Sequence, residues 1–318
     1  MIAYANRLVA VTGSRGFIGC ELTRALLQAG ARPLLVNRRP HPPAPGARTL
    51  VADLREPGPW DEIVRADIVF HLAGNTSANA AAADPAESFR STMLPITHLI
   101  AAAQDCRRSP RIVYASTATV YGLTAHLPVS EVVPPNPITV YDLHKWSAEQ
   151  LLAQASSDGI LDGVSLRLPN VYGPSAGASS ADDRGVLNSI AKRALQGTDL
   201  SLYGSGGCLR DYVYIDDVVA AFLAAGAATG LTARTFNVAS GRGVPVRDAF
   251  HMVVERAAML TGVRSRVREV PWPADADPIE LRSFAGDITR MTAATGWAPR
   301  ISLEDGIDRL LGTASRQA

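Results

Sequence analysis

Val9-Ala-Val-Thr-Gly13-Ser-Arg15-Gly16-Phe17-Ile18-Gly19 sets three glycines at GxxGxxG spacing between an apolar run and the apolar segment 18–29. A strand that turns sharply into a helix beside a pyrophosphate needs this pattern. Glycine takes the turn, leaves no Cβ against the anion, and lets the first helical N–H groups face the negative charge. Three glycines alone also occur in other α/β turns. Here they follow the first strand and open a helix, the context that gives the pattern meaning. Gly13, Arg15, Gly16, Phe17, Ile18 and Gly19 are the candidate contacts of a dinucleotide.

Working outward, the apolar periodicity predicts strands over 7–12, 33–37, 49–52, 68–72, 111–115 and 164–168. Between them lie a helix over 18–29 ended by Gly30, a long one over 85–104 with Pro95 as a local distortion, and one over 141–155. Segment 39–46 is too proline-rich for regular structure. Strands that are apolar throughout, alternating with helices, imply a mostly parallel sheet covered on both faces. The fold class expected is α/β, a Rossmann-type sheet.

Beyond residue 170 the pattern changes. A Gly/Ser/Ala loop at 173–180 precedes a helix over 186–196 and strands near 200–202 and 212–215. A helix over 217–225 leads to a returning strand at 235–238; a helix over 246–260, a strand near 266–270, a proline-rich bend and a helix over 303–311 follow. The expected division is a nucleotide-binding domain, 1–170 with returning segments near 209–241, and a smaller discontinuous substrate domain within 171–318.

Of the 318 residues 47% are hydrophobic and 19% charged, with 31 basic against 30 acidic side chains. That composition buries a large core and gives no global field for nucleic acid or an acidic membrane. Cys20, Cys106 and Cys208 suit neither a disulfide scaffold nor a four-cysteine zinc site. No cationic leader precedes an apolar run, and no stretch reaches eighteen uncharged apolar residues, so a soluble, cytoplasmic enzyme is expected. The six histidines are scattered without an HExxH pattern, and no metal centre is expected.

The second strand ends at Asn37-Arg38-Arg39. An acid there would accept from both adenosine ribose hydroxyls; Asn37 cannot do so as a charged acceptor, whereas Arg38 or Arg39 can pair with a 2′-phosphate. The cofactor reading is therefore NAD(P), leaning to NADP(H), against the alternative of two arginines on a solvated loop. Asp53, with Leu54 beside it, meets the adenine amino group or caps a turn. Leu72, Ala73 and Gly74 expose backbone where the cofactor passes, and His71 reads as a satisfied sheet-edge histidine rather than a ligand.

Downstream, a strand runs into Ser116-Thr117-Ala118-Thr119-Val-Tyr121-Gly122, and Tyr141-Asp-Leu-His-Lys145 follows. Tyr and Lys four apart share one helical face. An ammonium beside a phenol favours the phenolate, which can take a hydroxyl proton as hydride leaves carbon. Thr117 would hold the same oxygen. Lysine is rare here, only Lys145 and Lys192 against many arginines, so a lysine inside this pattern carries weight.

With TGSRGFIG, VFHLAG, STATVYG, YDLHK, RLPNVYGP, LRDYVYIDD, FNVASG and TGWAP in order, the chain resembles the extended short-chain dehydrogenase/reductase family, in its nucleotide-sugar epimerase/dehydratase group. The resemblance implies Thr117, Tyr141 and Lys145 as catalytic residues, with Tyr141 and Lys145 also on the cofactor. It implies Asn170 and Arg210 at the diphosphate of a nucleoside diphosphate sugar; Arg290 in the DITR segment is a weaker candidate that reads first as a solvated helix-start residue. Thr76, Thr117, Ala118, Thr119 and Tyr141 would face the sugar. Dehydratases of the group carry Asp-Glu where Ala118 and Thr119 stand, and decarboxylating relatives carry Glu at the Thr119 place, which disfavours both chemistries. The helix asparagine of the group corresponds to Thr92, and the aromatic before Asn170 to Pro169. What remains is redox at a sugar carbon, with epimerase favoured over an NADPH-dependent ketoreductase and over a dinucleotide sensor without turnover. Helices 85–104 and 141–155 carry surplus apolar surface, and related enzymes pair them across a twofold axis, so a homodimer is expected.

Overall fold

The computed structural model describes residues 2–40, 45–174, 185–274, 276 and 278–315. Parts of the expected loops at 39–46 and 173–180 lie outside the described residues. The first half runs β1 (Leu8–Thr12), α1 (Phe17–Gln28), β2 (Arg32–Asn37), β3 (Arg48–Val51), α2 (Trp60–Val64), β4 (Ile68–His71), α3 (Ala78–Ala83), α4 (Pro85–Asp105), β5 (Arg111–Thr117), α5 (Val140–Ser157) and β6 (Asp162–Leu168). It continues with β7 (Asn170–Tyr172), α6 (Val186–Leu195), β8 (Leu200–Tyr203), β9 (Leu209–Tyr214), α7 (Ile215–Ala227) and β10 (Thr235–Asn237). The chain ends with β11 (Gly243–Pro245), α8 (Val246–Thr261), β12 (Val267–Val270), α9 (Thr289–Thr295) and α10 (Leu303–Ala314).

Seven strands form one parallel sheet in the order β10-β6-β5-β4-β1-β2-β3. The central strands are buried on both faces, as Val9, Ala10 and Val11 are, which is why they read as unbroken apolar runs. The order reverses between β1 and β4. In an open α/β sheet the crevice at the carboxyl ends of two such strands is where ligands bind, and both the glycine turn after β1 and Leu72–Gly74 after β4 open onto it.

The second region holds a three-stranded sheet, β11-β9-β7, and a parallel pair, β12-β8. Buried carboxylates tie it together. Asp211 accepts from the backbone N–H groups of Ser240, Gly241 and Gly286. Asp217 accepts from those of Arg300 and Ile301, and its carbonyl takes the indole N–H of Trp297. One apolar cluster runs from Val9 and Phe70 through Phe222 to Ile307 and Leu311, so the two regions share a core.

Sequence and structure differ in places. Pro95 is buried inside α4, yet the helix continues to Asp105. The short elements α2, α3, β7, β11 and α9 escape periodicity because none spans enough residues to repeat a pattern. The alanine run at 78–83 is helical, with the Ser77 hydroxyl accepting from the Ala80 N–H. Alanine's high helix propensity explains it. His71 lies on an interior strand rather than an edge, since β4 pairs with both β1 and β5.

Candidate active site

The glycine turn is built so that side chains would collide. Gly13 sits at φ +68°, and a Cβ there would meet the Ala73 nitrogen at 2.9 Å; a Cβ on Gly19 would meet the Gly13 carbonyl oxygen at 2.3 Å. The turn thus packs directly against the 72–74 segment and draws α1 against itself. No side chain caps α1 at Gly16, while Phe17 is buried and Ile18 and Arg15 are half-buried around the loop. This is a cradle of backbone that a Cβ would fill, and it suits a dinucleotide pyrophosphate.

Asn37 closes the turn from β2. Its amide donates to the Ser14 hydroxyl at 2.7 Å, and its oxygen accepts from the Arg15 N–H at 3.2 Å. Arg38 and Arg39 are exposed just beyond it. Asp53 pairs with Arg55, which also bonds Glu87, and the Arg55 hydrogen bond holds the Asp53 carboxyl below the usual range. Leu54 is partly buried and packs against the apolar cluster that holds Leu34, Val36 and Trp60. His71 is fully buried and bonds Thr12 through Nδ1 at 2.9 Å. Burial, then the Lys145 charge, pushes its pKa down to about 3, so it stays neutral.

β5 and α5 bring the chemistry-bearing side chains to the same carboxyl-end crevice. α5 starts on a capping box, Thr139 with Asp142, which fixes Tyr141 in the first turn. One turn later Lys145 is buried; its ammonium donates to the Ala115 carbonyl at 2.9 Å and stands 6.0 Å from the Tyr141 ring centroid. A Cβ on Gly74 would lie 3.8 Å from that ammonium and 3.9 Å from the Thr92 hydroxyl, which is buried without a hydrogen-bond partner among the described residues. The Thr117 hydroxyl faces the Tyr141 phenol and favours its ionised form, but burial outweighs it and pushes the phenol up to about 12. Burial also pulls Lys145 down to about 8, against the charge of Glu149. Of the effects on the phenol, desolvation is the largest.

On the far side, Ala118 is buried and Thr119 half-buried, and the Thr119 hydroxyl lies 2.9 Å from that of Thr117. Thr76 is exposed ahead of α3. The Asn170 amide donates to the Asp211 carbonyl at 3.1 Å. Arg210 is buried and donates to the carbonyls of Leu209, Glu280 and Arg282, while Arg290 pairs with Glu131 at 3.7 Å. Sequence reasoning missed Arg282. It is half-buried, influences both Tyr141 and Asp142, and is held down to about 10 by burial and then by Arg210. Two neighbouring guanidinium groups, of which Arg282 acts on Tyr141, suit an anionic ligand.

Comparison with known proteins agrees with this geometry. A model of the NAD dependent epimerase/dehydratase family matches residues 9–239. The chain is 28% identical to the UDP-glucose 4-epimerase of Azospirillum brasilense, over 96% of this chain and 91% of that protein. It is 31% identical to the dTDP-6-deoxy-L-talose 4-dehydrogenase (NAD(P)(+)) of Kitasatospora kifunensis, over 98% of this chain and 96% of that one. The solved UDP-glucose 4-epimerase of Thermotoga maritima with UDP-glucose aligns with a TM-score of 0.85 at 26% identity, over 98% of this chain and 99% of the other. The glycine turn, Thr117, Tyr141 and Lys145 all fall inside the span that the family model matches, and the chain belongs to the NAD dependent epimerase/dehydratase family.

Proposed function

We propose that the chain binds NAD(P) along the glycine turn and epimerises a sugar carbon of a nucleoside diphosphate sugar through a transient ketone. The observation that carries this reading is the Tyr141 phenol flanked by the Lys145 ammonium and the Thr117 hydroxyl in one crevice, with no carboxylate at residues 118–119. The bound nicotinamide supplies a place for the hydride to go and return from. Tyr141 moves the proton at the reacting sugar oxygen, Thr117 holds that oxygen, and Lys145 keeps a positive charge beside the phenol. Arg210, Arg282 and Asn170 line the side where the diphosphate binds.

A stoichiometric measurement tests the epimerase reading. With catalytic cofactor and a nucleotide sugar, many epimer molecules per cofactor are expected, without net change in cofactor absorbance. Consumption of one NADPH per product would establish the ketoreductase instead. Asn37 in place of a ribose-binding acid, with Arg38 and Arg39 exposed beside it, favours that second reading. Changing both arginines to alanine is expected to erase a preference for NADPH over NADH, read by titrating nicotinamide fluorescence; an unchanged ratio would remove them from phosphate binding.

The same reading includes a homodimer through α4 and α5. These helices pack together and leave Phe89 45% and Leu143 46% exposed on neighbouring turns. A second copy would cover both. Light scattering at micromolar concentration is expected to give twice the chain mass, and Leu143→Arg to give the monomer; a wild-type monomer would reject the assembly.

A further inference from the structure

The FNVASG stretch has no part in the site described above, yet its Asn237 is fully buried at the end of β10 with its whole side-chain amide engaged. The amide nitrogen donates to the Val129 carbonyl at 2.9 Å and to the Asp287 carbonyl at 3.1 Å; the amide oxygen accepts from the Tyr121 phenol at 2.8 Å. Two carbonyls around one atom fix that atom as the nitrogen, so the place calls for an amide with both donors in use. The two carbonyls belong to different segments. Val129 lies midway along 118–140, the stretch that leads from Thr117 to Tyr141. Asp287 closes 278–287, the segment whose Glu280 and Arg282 carbonyls accept from Arg210. The segments meet at an isolated β-bridge, Val129 opposite Gly286, where the Val129 N–H donates to the Ala285 carbonyl at 2.7 Å and the Asp287 N–H to the Val129 carbonyl at 2.9 Å. Apolar packing is non-directional, whereas hydrogen bonds of set length fix how far apart two segments stand.

We propose that Asn237 is a positioning residue that sets the spacing between the two ends of the substrate site, the sugar end at Thr117 and Tyr141 and the diphosphate end at Arg210 and Arg282. The inference rests on the nucleotide-sugar reading. Such a substrate is gripped at its diphosphate and reacts at its sugar, so the reacting carbon meets Tyr141 only when the two ends stand at one distance. Each end is tied within itself. Towards the diphosphate, Arg210 holds the 280 and 282 carbonyls, the Leu209 N–H donates to the Ser283 hydroxyl, and the Asp211 carboxylate accepts from the Gly286 N–H. Towards the sugar, the Tyr121 ring lies 4.7 Å from the Arg167 guanidinium, and Arg167 pairs with Glu149 one turn beyond Lys145 on α5. Asn237 joins the first unit to the second. Its loss leaves both units whole and frees their spacing. A misplacement of about 1 Å at reacting atoms costs on the order of 10²-fold in rate, so the defect falls on turnover and spares the binding of cofactor and of diphosphate.

Three variants test this. Asn237→Ala removes the joint. Gly286→Ala keeps Asn237 but forces 278–287 to shift, because the added Cβ would meet the Ala239 Cβ at 2.7 Å. Gly286→Ala combined with Ala239→Gly takes the colliding atom away. The probes are UDP, dTDP, GDP and CDP for binding, and their hexose esters for turnover. Turnover of the ester active in wild type is expected to fall about 10–100-fold in Asn237→Ala and in Gly286→Ala, and to recover most of that loss in the double variant. Affinity for the reduced cofactor and for the diphosphate that wild type binds is expected to stay unchanged in all three, read by fluorescence and calorimetric titration. Wild-type turnover in Asn237→Ala would overturn the proposal, and so would affinities that fall in step with turnover, the mark of a general fold defect. If Asn237→Ala fails to fold, the other two decide: wild-type turnover in Gly286→Ala, or no recovery in the double variant, overturns it. A wild type that binds none of the four diphosphates, or turns over none of their esters, would instead overturn the nucleotide-sugar reading beneath it.

Discussion

Tyr141→Phe is expected to lose about 10²–10⁴-fold in turnover, the usual contribution of a positioned acid/base, while still binding the reduced cofactor. The ring remains beside Lys145 and only the hydroxyl is lost, so the defect belongs to kcat. A loss below tenfold would move the proton transfer elsewhere. Lys145 adds a pH signature. Its pKa is pulled down to about 8, so its charge is present below that value and disappears as pH rises through it. Cofactor affinity is therefore expected to weaken on the alkaline side of pH about 8, measured by fluorescence titration, and Lys145→Ala to remove that dependence.

The largest loss of stability is expected from Glu149→Ala. Glu149 on α5 and Arg167 on β6 form an ion pair at 2.6 Å with side chains 1% and 4% exposed. The Ser116 hydroxyl donates to the same carboxylate, and the guanidinium lies 4.7 Å from the Tyr121 ring centroid. Removing one member leaves a buried charge unpaired, which costs about 3–5 kcal/mol, a large part of the stability of an ordinary domain. Urea unfolding would show it as a lower midpoint. A double change, Glu149→Leu with Arg167→Met, is expected to recover part of the loss, because two apolar side chains need no partner. A single variant within about 1 kcal/mol of wild type would mean that water reaches the pair.

The nucleotide end was legible because its requirements are local. A sharp turn, a helix start and an apolar strand follow one another in sequence, and the collisions a Cβ would make at Gly13 and Gly19 give the physical reason for the spacing. Tyr141 and Lys145 were legible because one helical turn brings them together. Arg282 was not, since it follows a proline-rich bend and reaches the site only through packing of 278–282 against Arg210. Arg210 stood out as a motif residue, but nothing local tells that its donors go to backbone carbonyls. Asp142 reads in sequence as a helix-start acid; its burial becomes visible only in the folded chain.

The position of β10 at the end of the seven-stranded sheet has a consequence during synthesis. β6 is complete at Leu168, but the strand that covers its open edge begins at Thr235. A ribosome adding about 5–20 residues per second leaves that edge bare for on the order of several seconds. Unpaired N–H and C=O groups along an apolar strand are a template for any other extended chain. A nascent chain stalled or cut between these two strands would present a sticky edge to its neighbours on the polysome, and holding that edge apart is a task for chaperones until Thr235–Asn237 arrive.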